Sequence, residues 1–360
     1  MTSRLNILYA IAALAALVSC NKTIVETDLP AELCPISFGG NLQAEKQVTR
    51  AASVVGLEEV TDSFIVTGYK NSTTDGWQDV MNSYRVCYVS NTDGSSVTNT
   101  ASWEYVGQGP DQVTKYWDYS ATAYRFMGYV PKRSTGKIGY SGSMSSNGNN
   151  IVLTLSGVPR IAIAQNGVMT NPDGVTVTEQ DLPLLSRLWH GTAPQNEPVR
   201  MEFVKPYAKL CVYLMRAANV DAQAVTDITL AKSGGQIPLT GTVSASYSLT
   251  DTTYSISGTG VTGGDNITFG SIAAEEMANT NIPCPVYPQY LLLPDSDNDC
   301  DYTFTCAGRD CIIPAALMQL EPGYCYSFIF KLTQSDSSPT KSSITDNPVL
   351  ELMGVNRTPF

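Results

Sequence analysis

The chain of 360 residues is poor in charge, since Asp, Glu, Lys and Arg make up only 15% of it. Its 22 basic residues are outnumbered by 33 acidic ones, which gives a formal net charge of -11. Nucleic acids and anionic membranes are bound by clusters of Lys and Arg. The acidic balance therefore argues against both, and we expect no nucleic-acid partner.

The sequence also lacks recognisable catalytic motifs. Its one histidine, His190, stands beside the bulky Trp189, and a lone histidine there is typical of a packing or surface position. No G-x-S-x-G sequence occurs, and the glycine-rich segment 258–264 lacks the Lys and Ser of a phosphate-binding loop. No pair of carboxylates stands out for glycoside hydrolysis. We therefore predict a protein that is not an enzyme and has no cofactor.

Long apolar runs are absent apart from residues 7–17, which follow Arg4. This arrangement is typical of a secretory signal, and the run is too short to span a bilayer. The sequence that follows, Leu17-Val18-Ser19-Cys20, fits the lipobox of a bacterial lipoprotein. We expect residues 1–19 to be a signal peptide and Cys20 to carry acyl chains such as palmitate, which together anchor a protein durably. The alternative is an ordinary secretory signal with a coincidental cysteine.

Aromatic and turn-forming residues are frequent: the chain has 19 Tyr, 28 Gly and 20 Pro. This mixture is typical of short strands joined by turns. Many segments alternate apolar and polar residues in the period-2 pattern of half-buried strands. They are 64–69, 84–89, 103–105, 115–120, 124–131, 151–155, 199–205, 209–214, 290–293, 301–306, 324–330 and 349–355, and the segments 227–230, 241–247 and 267–269 continue the same rhythm of strands and turns. We predict an all-β fold of two tandem antiparallel β-sandwich domains, 51–193 and 194–360, with the turn-rich segment 192–198 at the boundary.

Residues 20–50 are polar and linker-like apart from one short strand pattern. The side chains that alternate to one side there are Cys34, Ile36 and Phe38. The segment ends in Arg50, which is followed by the small residues Ala51 and Ala52. An arginine in a flexible connector is an accessible protease site. A simple solvated linker is the alternative interpretation.

The lipobox, the arginine and the β-rich segments together resemble the fimbrillin, or Mfa-like, family of type V pilins and pilin-like lipoproteins. Beside Cys20, the segments that carry the resemblance are 49–52, 64–69, 115–119, 199–214 and 322–328. They span nearly the whole chain, and their order is more characteristic than any one of them. The resemblance implies transthyretin-like β-sandwich domains after a lipoprotein signal and a propeptide, residues 20–50. It also implies an outer-membrane or cell-surface location.

In such pilins the lipidated precursor reaches the outer membrane, and an arginine-specific protease cuts after the arginine. The resemblance implies a cut between Arg50 and Ala51, after which the strand with Cys34, Ile36 and Phe38 leaves. A strand of the next subunit would fill the exposed groove. The donor strand implied here is 349–355, with the apolar residues Val349, Leu350, Leu352 and Val355. The implied function is that of a structural subunit of a surface fimbria that supports adhesion, with other pilin subunits as partners.

Two alternatives remain open at this point. In the first, the protein is a pilus tip or anchor subunit. In the second, it is a stand-alone surface lipoprotein that binds a glycan or a host protein. A tip has a groove but donates no strand, whereas an anchor keeps its lipid and is not necessarily cut. The C-terminal stretch 349–355 is short and alternates only weakly, which is compatible with either alternative.

The chain has nine cysteines, and lipidation of Cys20 together with removal of Cys34 would leave seven. Five of these lie close together near the C-terminus: Cys284, Cys300, Cys306, Cys311 and Cys325. One or two disulfides among them are compatible with an oxidising compartment. A zinc site is the alternative, but no C-x-x-C pair occurs and His190 is distant in sequence, so we predict no metal site.

Overall fold

The computed structural model describes residues 34–42, 55–89, 103–133, 136–147, 149–194, 197–294, 299–334 and 348–360. Within these residues the regular elements are β-strands and three short 3₁₀ turns, which confirms the all-β prediction. A search of the same residues finds no helix with the length and apolar character to cross a membrane. The predicted signal peptide, Cys20, Arg50 and Ala51 lie outside the described residues.

The strands are numbered along the chain. Those before residue 193 are β1 (Phe38–Leu42), β2 (Val55–Gly56), β3 (Ser63–Ser72), β4 (Gly76–Tyr88), β5 (Trp103–Glu104), β6 (Ala123–Tyr129), β7 (Ser141–Asn147), β8 (Asn150–Pro159), β9 (Ile161–Ile163), β10 (Met169–Thr170), β11 (Thr176–Val177), β12 (Leu185–Ser186) and β13 (Trp189–Gly191). Those after it are β14 (Val199–Val204), β15 (Ala208–Arg216), β16 (Thr229–Lys232), β17 (Ile237–Ser248), β18 (Tyr254–Asp265), β19 (Ile267–Thr268), β20 (Cys284–Leu292), β21 (Tyr302–Cys306), β22 (Arg309–Ile313), β23 (Tyr324–Gln334) and β24 (Pro348–Pro359). The 3₁₀ turns are Leu57–Glu59, Glu179–Asp181 and Ala315–Leu317.

The N-terminal sheet has the strand order β12-β14-β1-β5-β4-β3-β6-β13, and β2 pairs with β1. A further pairing of β12 with β6 closes seven of these strands into a ring. Strand β1 lies within the ring, parallel to β14 on one side and antiparallel to β5 on the other. The ring surrounds an aromatic core that includes Phe38, Phe64, Tyr105 and Phe126. Removal of β1 would therefore open the ring.

A seven-stranded sheet has the order β11-β10-β9-β20-β15-β23-β24. Apolar side chains of β15 and β23 share a core with those of a small sheet, ordered β19-β16-β21-β22. The rings of Phe304 and Phe330 stack at the centre of this core, with centroids 3.9 Å apart. Strand β24 ends the seven-stranded sheet as its edge strand.

Strand pairing crosses the predicted domain boundary at residues 193/194. Strands β7 and β8 join β17 and β18 in a fourth sheet, and β9 pairs with β20. In the opposite direction, β14 enters the N-terminal sheet. Three of the four sheets therefore take strands from both sides of the boundary, and only the small sheet β19-β16-β21-β22 lies wholly on one side. The division into domains 51–193 and 194–360 stays a prediction.

Two features of the strands differ from the sequence-based expectation. Two strand pairs are parallel, β1 with β14 and β15 with β23, which the long connections between their strands permit. Residues 115–120 form a loop with a single bridge between Tyr116 and Pro35. The prediction of a strand there was wrong because the loop pairs its backbone with the extended segment before β1, and Trp117 alone of its aromatic residues is deeply buried.

Candidate functional site

Strand β1 and the extended residues before it occupy a pocket lined by aromatic rings. Ile36 and Phe38 are completely buried, whereas Cys34 is half-buried, in line with the predicted alternation. The ring of Phe38 meets three other rings edge to face, a favourable aromatic geometry. These rings, which we call the Phe38 pocket, belong to Phe64, Tyr105 and Phe126, at centroid distances of 6.0, 5.9 and 5.6 Å.

The backbone of β1 is hydrogen-bonded along both edges. On one side it runs parallel to β14, in a register from Phe38 opposite Val199 to Leu42 opposite Phe203. On the other side its end pairs antiparallel with β2, and Phe38 lies opposite Trp103 of β5. Loss of β1 would therefore leave unpaired backbone groups on β14, β2 and β5. Such groups are costly to leave unpaired in an apolar groove.

The residues before β1 are held by the loop that precedes β6. The Ile36 amide donates to the Lys115 carbonyl at 2.7 Å, and the Trp117 amide donates to the Cys34 carbonyl at 3.0 Å. The buried Tyr105 hydroxyl donates to the Ile36 carbonyl at 3.0 Å. The segment 34–42 is thus bonded as a continuous extended unit, longer than the strand β1 itself.

An ion pair ties this loop to β3. Lys70 Nζ lies 2.7 Å from Asp118 Oδ2. The hydrogen bond from Lys70, followed by those from Ser120, lowers the pKa of Asp118 to about 2. The carboxylate is therefore ionised at neutral pH. The stability that it adds to the folded chain is expected to decline below its ordinary pKa of 3.8 and to be lost as the pH falls through about 2.

The predicted cleavage site lies on the connection between β1 and β2. Leu42 at the end of β1 pairs with Val55 at the start of β2, so residues 43–54, which include Arg50 and Ala51, join two antiparallel partners. A cut after Arg50 would leave β2 and all later strands in one chain. It would turn β1 into a separate peptide held only by non-covalent contacts.

Gly40 allows β1 to pass close to the first 3₁₀ turn. A Cβ atom at Gly40 would lie 2.4 Å from Leu57 Cδ2 and 3.0 Å from Leu57 Cβ, and Leu57 is completely buried. A Cβ atom at the neighbouring Gly39 would meet nothing nearer than Pro198, at 3.9 Å. Only Gly40 is thus required by close packing between β1 and the remainder of the protein.

We predict that Gly40→Ala lowers the free energy of unfolding of the uncut chain by about 1–3 kcal/mol, as overpacking of a core does. Gly39→Ala is the matched control and should change it by less than about 0.5 kcal/mol. Denaturant unfolding of both variants measures the difference. Equal effects of the two substitutions would show that β1 does not pack against Leu57 as described.

The predicted donor strand lies at the edge of the seven-stranded sheet, where β24 pairs with β23. Leu350 is 5% exposed, and Leu352 and Val355 are packed against the C-terminal core, whereas Val349 and Met353 are 36% and 50% exposed. Three of the four predicted donor residues thus face the core, and Val349 does not.

A β-bulge explains the weak alternation of this strand. Phe330 lies opposite Leu352, but the preceding Ile329 lies opposite Gly354, so Met353 is an extra residue in the ladder. The bulge restores Val355 to the face that carries Leu352, although the two are three residues apart. A strict period-2 reading of the sequence places them on opposite faces.

Beyond the bulge, β24 is fastened by Arg357. Its guanidinium lies 3.6 Å from the centroid of the Tyr324 ring and forms an ion pair with Glu321. An open cavity of about 570 Å³ lies alongside and is lined in part by Tyr326, Val355 and Arg357. Because two of these residues belong to β24, the shape of the cavity depends on β24 remaining in place.

The residues considered for other chemistry are not brought together. His190 is exposed on β13. Within the described ranges, no three His, Cys, Asp or Glu side chains form a group that could hold a metal ion. No disulfide joins the described cysteines of the C-terminal group. Instead, the sulfur of Cys325 lies 3.4 Å from that of Cys211, which the sequence-based grouping left out.

Comparison with known proteins identifies the family. A family model described as Fimbrillin-like matches residues 49–346. A fimbrial protein from Bacteroides vulgatus has a TM-score of 0.47 and 11% identity over 90% of this chain and 99% of its own. A protein with a proposed role in cell adhesion from Bacteroides ovatus has a TM-score of 0.45 and 14% identity over 91% of this chain and 98% of its own. None of the curated proteins compared with the chain matches it. Because the family model matches most of this chain, the chain belongs to the fimbrillin-like family.

Proposed function

We propose that this protein is a structural subunit of a cell-surface fimbria, in which cleavage after Arg50 frees β1 and a strand of another subunit replaces it. Membership of the fimbrillin-like family supports a surface location and assembly with other pilin subunits. The observation that carries the exchange step is the placement of β1. It is buried, bonded along both edges, and joined to the rest of the ring through the segment that contains Arg50.

Departure of β1 would create a strong binding site for another strand. The Phe38 pocket would lose its occupant, and burying a side chain of this kind contributes about 1.5–3 kcal/mol. The freed edge of β14 would offer a row of backbone donors and acceptors, which favours pairing with an added strand. The groove would therefore select an extended segment with large apolar side chains two residues apart.

Strand β24 meets this requirement. Leu350 and Leu352 are two residues apart, as are Ile36 and Phe38, and both point from the same face of their strand. Because β24 is an edge strand, its release breaks one ladder, with β23, rather than two. We therefore propose β24 as the donor.

Lipidation at Cys20 would couple the release of the subunit from the membrane to this exchange. The lipid would hold the precursor at the outer membrane, on the same side of Arg50 as β1. A single cut would then separate the folded chain from its anchor and free β1 for exchange. The subunit that begins at Ala51 would carry neither.

The cleavage step is tested by Arg50→Ala in the cells that produce the protein. We predict that wild-type protein from the cell surface begins at Ala51 and forms polymers, whereas the variant keeps an acylated Cys20 and stays monomeric. N-terminal sequencing and intact mass measure the processing, and native gel electrophoresis measures polymers. Lys46→Ala, which changes another basic residue of the same segment, is the control and should be processed normally.

Two results would contradict the proposal. Polymers of normal length from Arg50→Ala would show that the cut is not needed. An acylated Cys20 with an intact segment 20–50 on wild-type protein would favour an anchor subunit or a stand-alone surface lipoprotein instead.

A further inference from the structure

Two cysteines from distant parts of the chain meet on adjacent strands. Cys211 lies on β15 and Cys325 on β23, which run parallel, and their sulfur atoms are 3.4 Å apart. Cys211 is opposite Ser327 and Cys325 is opposite Lys209, so the two cysteines are diagonal neighbours. Residues two apart on a strand share a face, which places both side chains on the face away from the C-terminal core.

We propose that Cys211 and Cys325 form a disulfide bond in the exported protein. The location outside the cytoplasm rests on the proposed function, and disulfides persist in such compartments. A disulfide has a sulfur–sulfur distance of about 2.05 Å, so the two sulfur atoms would move about 1.4 Å closer together. Both sulfur atoms already lie on one face of the sheet. Diagonal neighbours on adjacent strands are about 7–8 Å apart, whereas the Cα atoms of a disulfide are usually about 4.4–6.8 Å apart. Closing the bond therefore also requires a local approach of β15 and β23.

The surroundings of the two sulfur atoms indicate an order of reaction. Cys211 is only 3% exposed, whereas Cys325 is half-buried and is the one that an external reagent can reach. The hydrogen bond with Cys325, and then burial, raise the pKa of Cys211. Cys211 therefore stays protonated and is expected to react second.

The chemistry requires a disulfide-bearing thiol oxidant, such as an oxidised dithiol oxidoreductase of the cell envelope. The Cys325 thiolate attacks one sulfur of the oxidant, forms a mixed disulfide and releases the other sulfur as a thiolate. Cys211 then loses its proton and attacks Cys325 Sγ, which displaces the oxidant. In sum, two protein thiols lose two protons and two electrons, and the disulfide of the oxidant becomes a dithiol.

The bond would join two strands whose cysteines are 114 residues apart in sequence. Strand β23 is the one on which β24 is seated. If β24 leaves its edge position, β23 becomes the new edge strand. The bond to β15 would then keep β23 in the sheet.

The test uses the exported protein, purified and oxidised with glutathione disulfide. It is then denatured in the presence of N-ethylmaleimide, which alkylates the remaining thiols, and digested without reduction. We expect one peptide pair linked through Cys211 and Cys325, with a mass lower by two hydrogens than the sum of the two thiol peptides. Cys306, which is also buried, should carry the alkyl group and serves as the control for complete alkylation. The experiment on purified protein depends only on the contact between Cys211 and Cys325, so its outcome is independent of the proposed fimbrial function.

The same mapping on protein taken directly from the cell envelope tests whether the bond forms there. Alkyl groups on both cysteines in either sample, or a link from Cys325 to another cysteine, would overturn the proposal. A second measurement compares melting temperatures with and without a reductant. Reduction should lower the melting temperature of the wild type but not that of a Cys211→Ser, Cys325→Ser double variant.

Discussion

Replacing Phe38 by Ala in the uncut chain is expected to lower the free energy of unfolding by about 3–5 kcal/mol. The side chain is completely buried, and its three ring contacts would be lost together. Denaturant unfolding of the purified precursor measures the effect. Ile282→Ala, which removes an apolar side chain that is 58% exposed and lies outside the N-terminal sheet, is the control and should change stability by less than about 0.5 kcal/mol.

The cleaved form provides the sharper comparison. Chains that begin at Ala51 are identical in the wild type and in Phe38→Ala, so any stability difference must disappear once β1 has left. If the difference persists after the cut, the peptide with Phe38 has remained bound in the ring. If Phe38→Ala has no effect even before the cut, then β1 does not fill the pocket and the exchange mechanism loses its basis.

The contacts of β1 also indicate that a cut alone does not expel it. Its hydrogen bonds to β14 and its buried side chains remain after Arg50 is separated from Ala51. What changes is the effective concentration, since an attached strand rebinds at once and a free peptide is diluted. Strand exchange is then a competition in which the incoming strand must occupy the Phe38 pocket as β1 leaves it.

The second large effect is expected from deletion of residues 348–360. Without β24 the subunit should still fold and accept a strand in the groove left by β1. It has no strand to donate, so it cannot enter the groove of another subunit. Mixing the cleaved variant with cleaved wild type should therefore give short, terminated polymers, measured by native gel electrophoresis or electron microscopy. If the deletion unfolds the C-terminal half, as circular dichroism would show, β24 is an internal strand of its own subunit and not a donor.

Two point substitutions in β24 test its role as donor without deleting the strand. Leu350→Asp places a carboxylate at a position that is 5% exposed, and burial of such an unpaired polar group costs several kcal/mol. Met353→Asp places the same group at the exposed bulge position and should leave the monomer stable. We expect Leu350→Asp to lower both monomer stability and polymer yield. Polymers from Leu350→Asp as abundant as those from Met353→Asp would contradict a role for Leu350 in the groove.

The alternation of Ile36 and Phe38 was visible in the sequence because a half-buried strand needs it wherever it lies. The aromatic rings that contact Phe38 could not be identified from the sequence pattern. Phe64 and Phe126 stand in predicted strands among many other aromatic residues, and only closure of the ring decides which of them meet. The parallel pairing of β1 with β14 was hidden for the same reason, since period 2 does not specify a partner.

Strand β24 shows how one residue can obscure a pattern. The bulge at Met353 shifts the faces of all later residues, and bulges depend on the pairing with β23 rather than on the strand sequence itself. The polar strands β7 and β18 were missed because hydrophobic alternation is weak where a strand exposes most of its side chains. The proximity of Cys211 to Cys325 was equally invisible, since sequence spacing grouped Cys325 with its near neighbours.

The sequence by itself determined the all-β class, the family and the residues of the two terminal segments that carry large apolar side chains. These follow from composition, from period-2 alternation and from the order of motifs, which are local properties of the chain. Only the tertiary structure decided that β1 is a member of a closed ring, that β24 is an edge strand, and that sheets take strands from both sides of residue 193. The reason is that a strand satisfies its backbone hydrogen bonds with whichever partner the fold brings alongside, and that choice is not written in either strand alone.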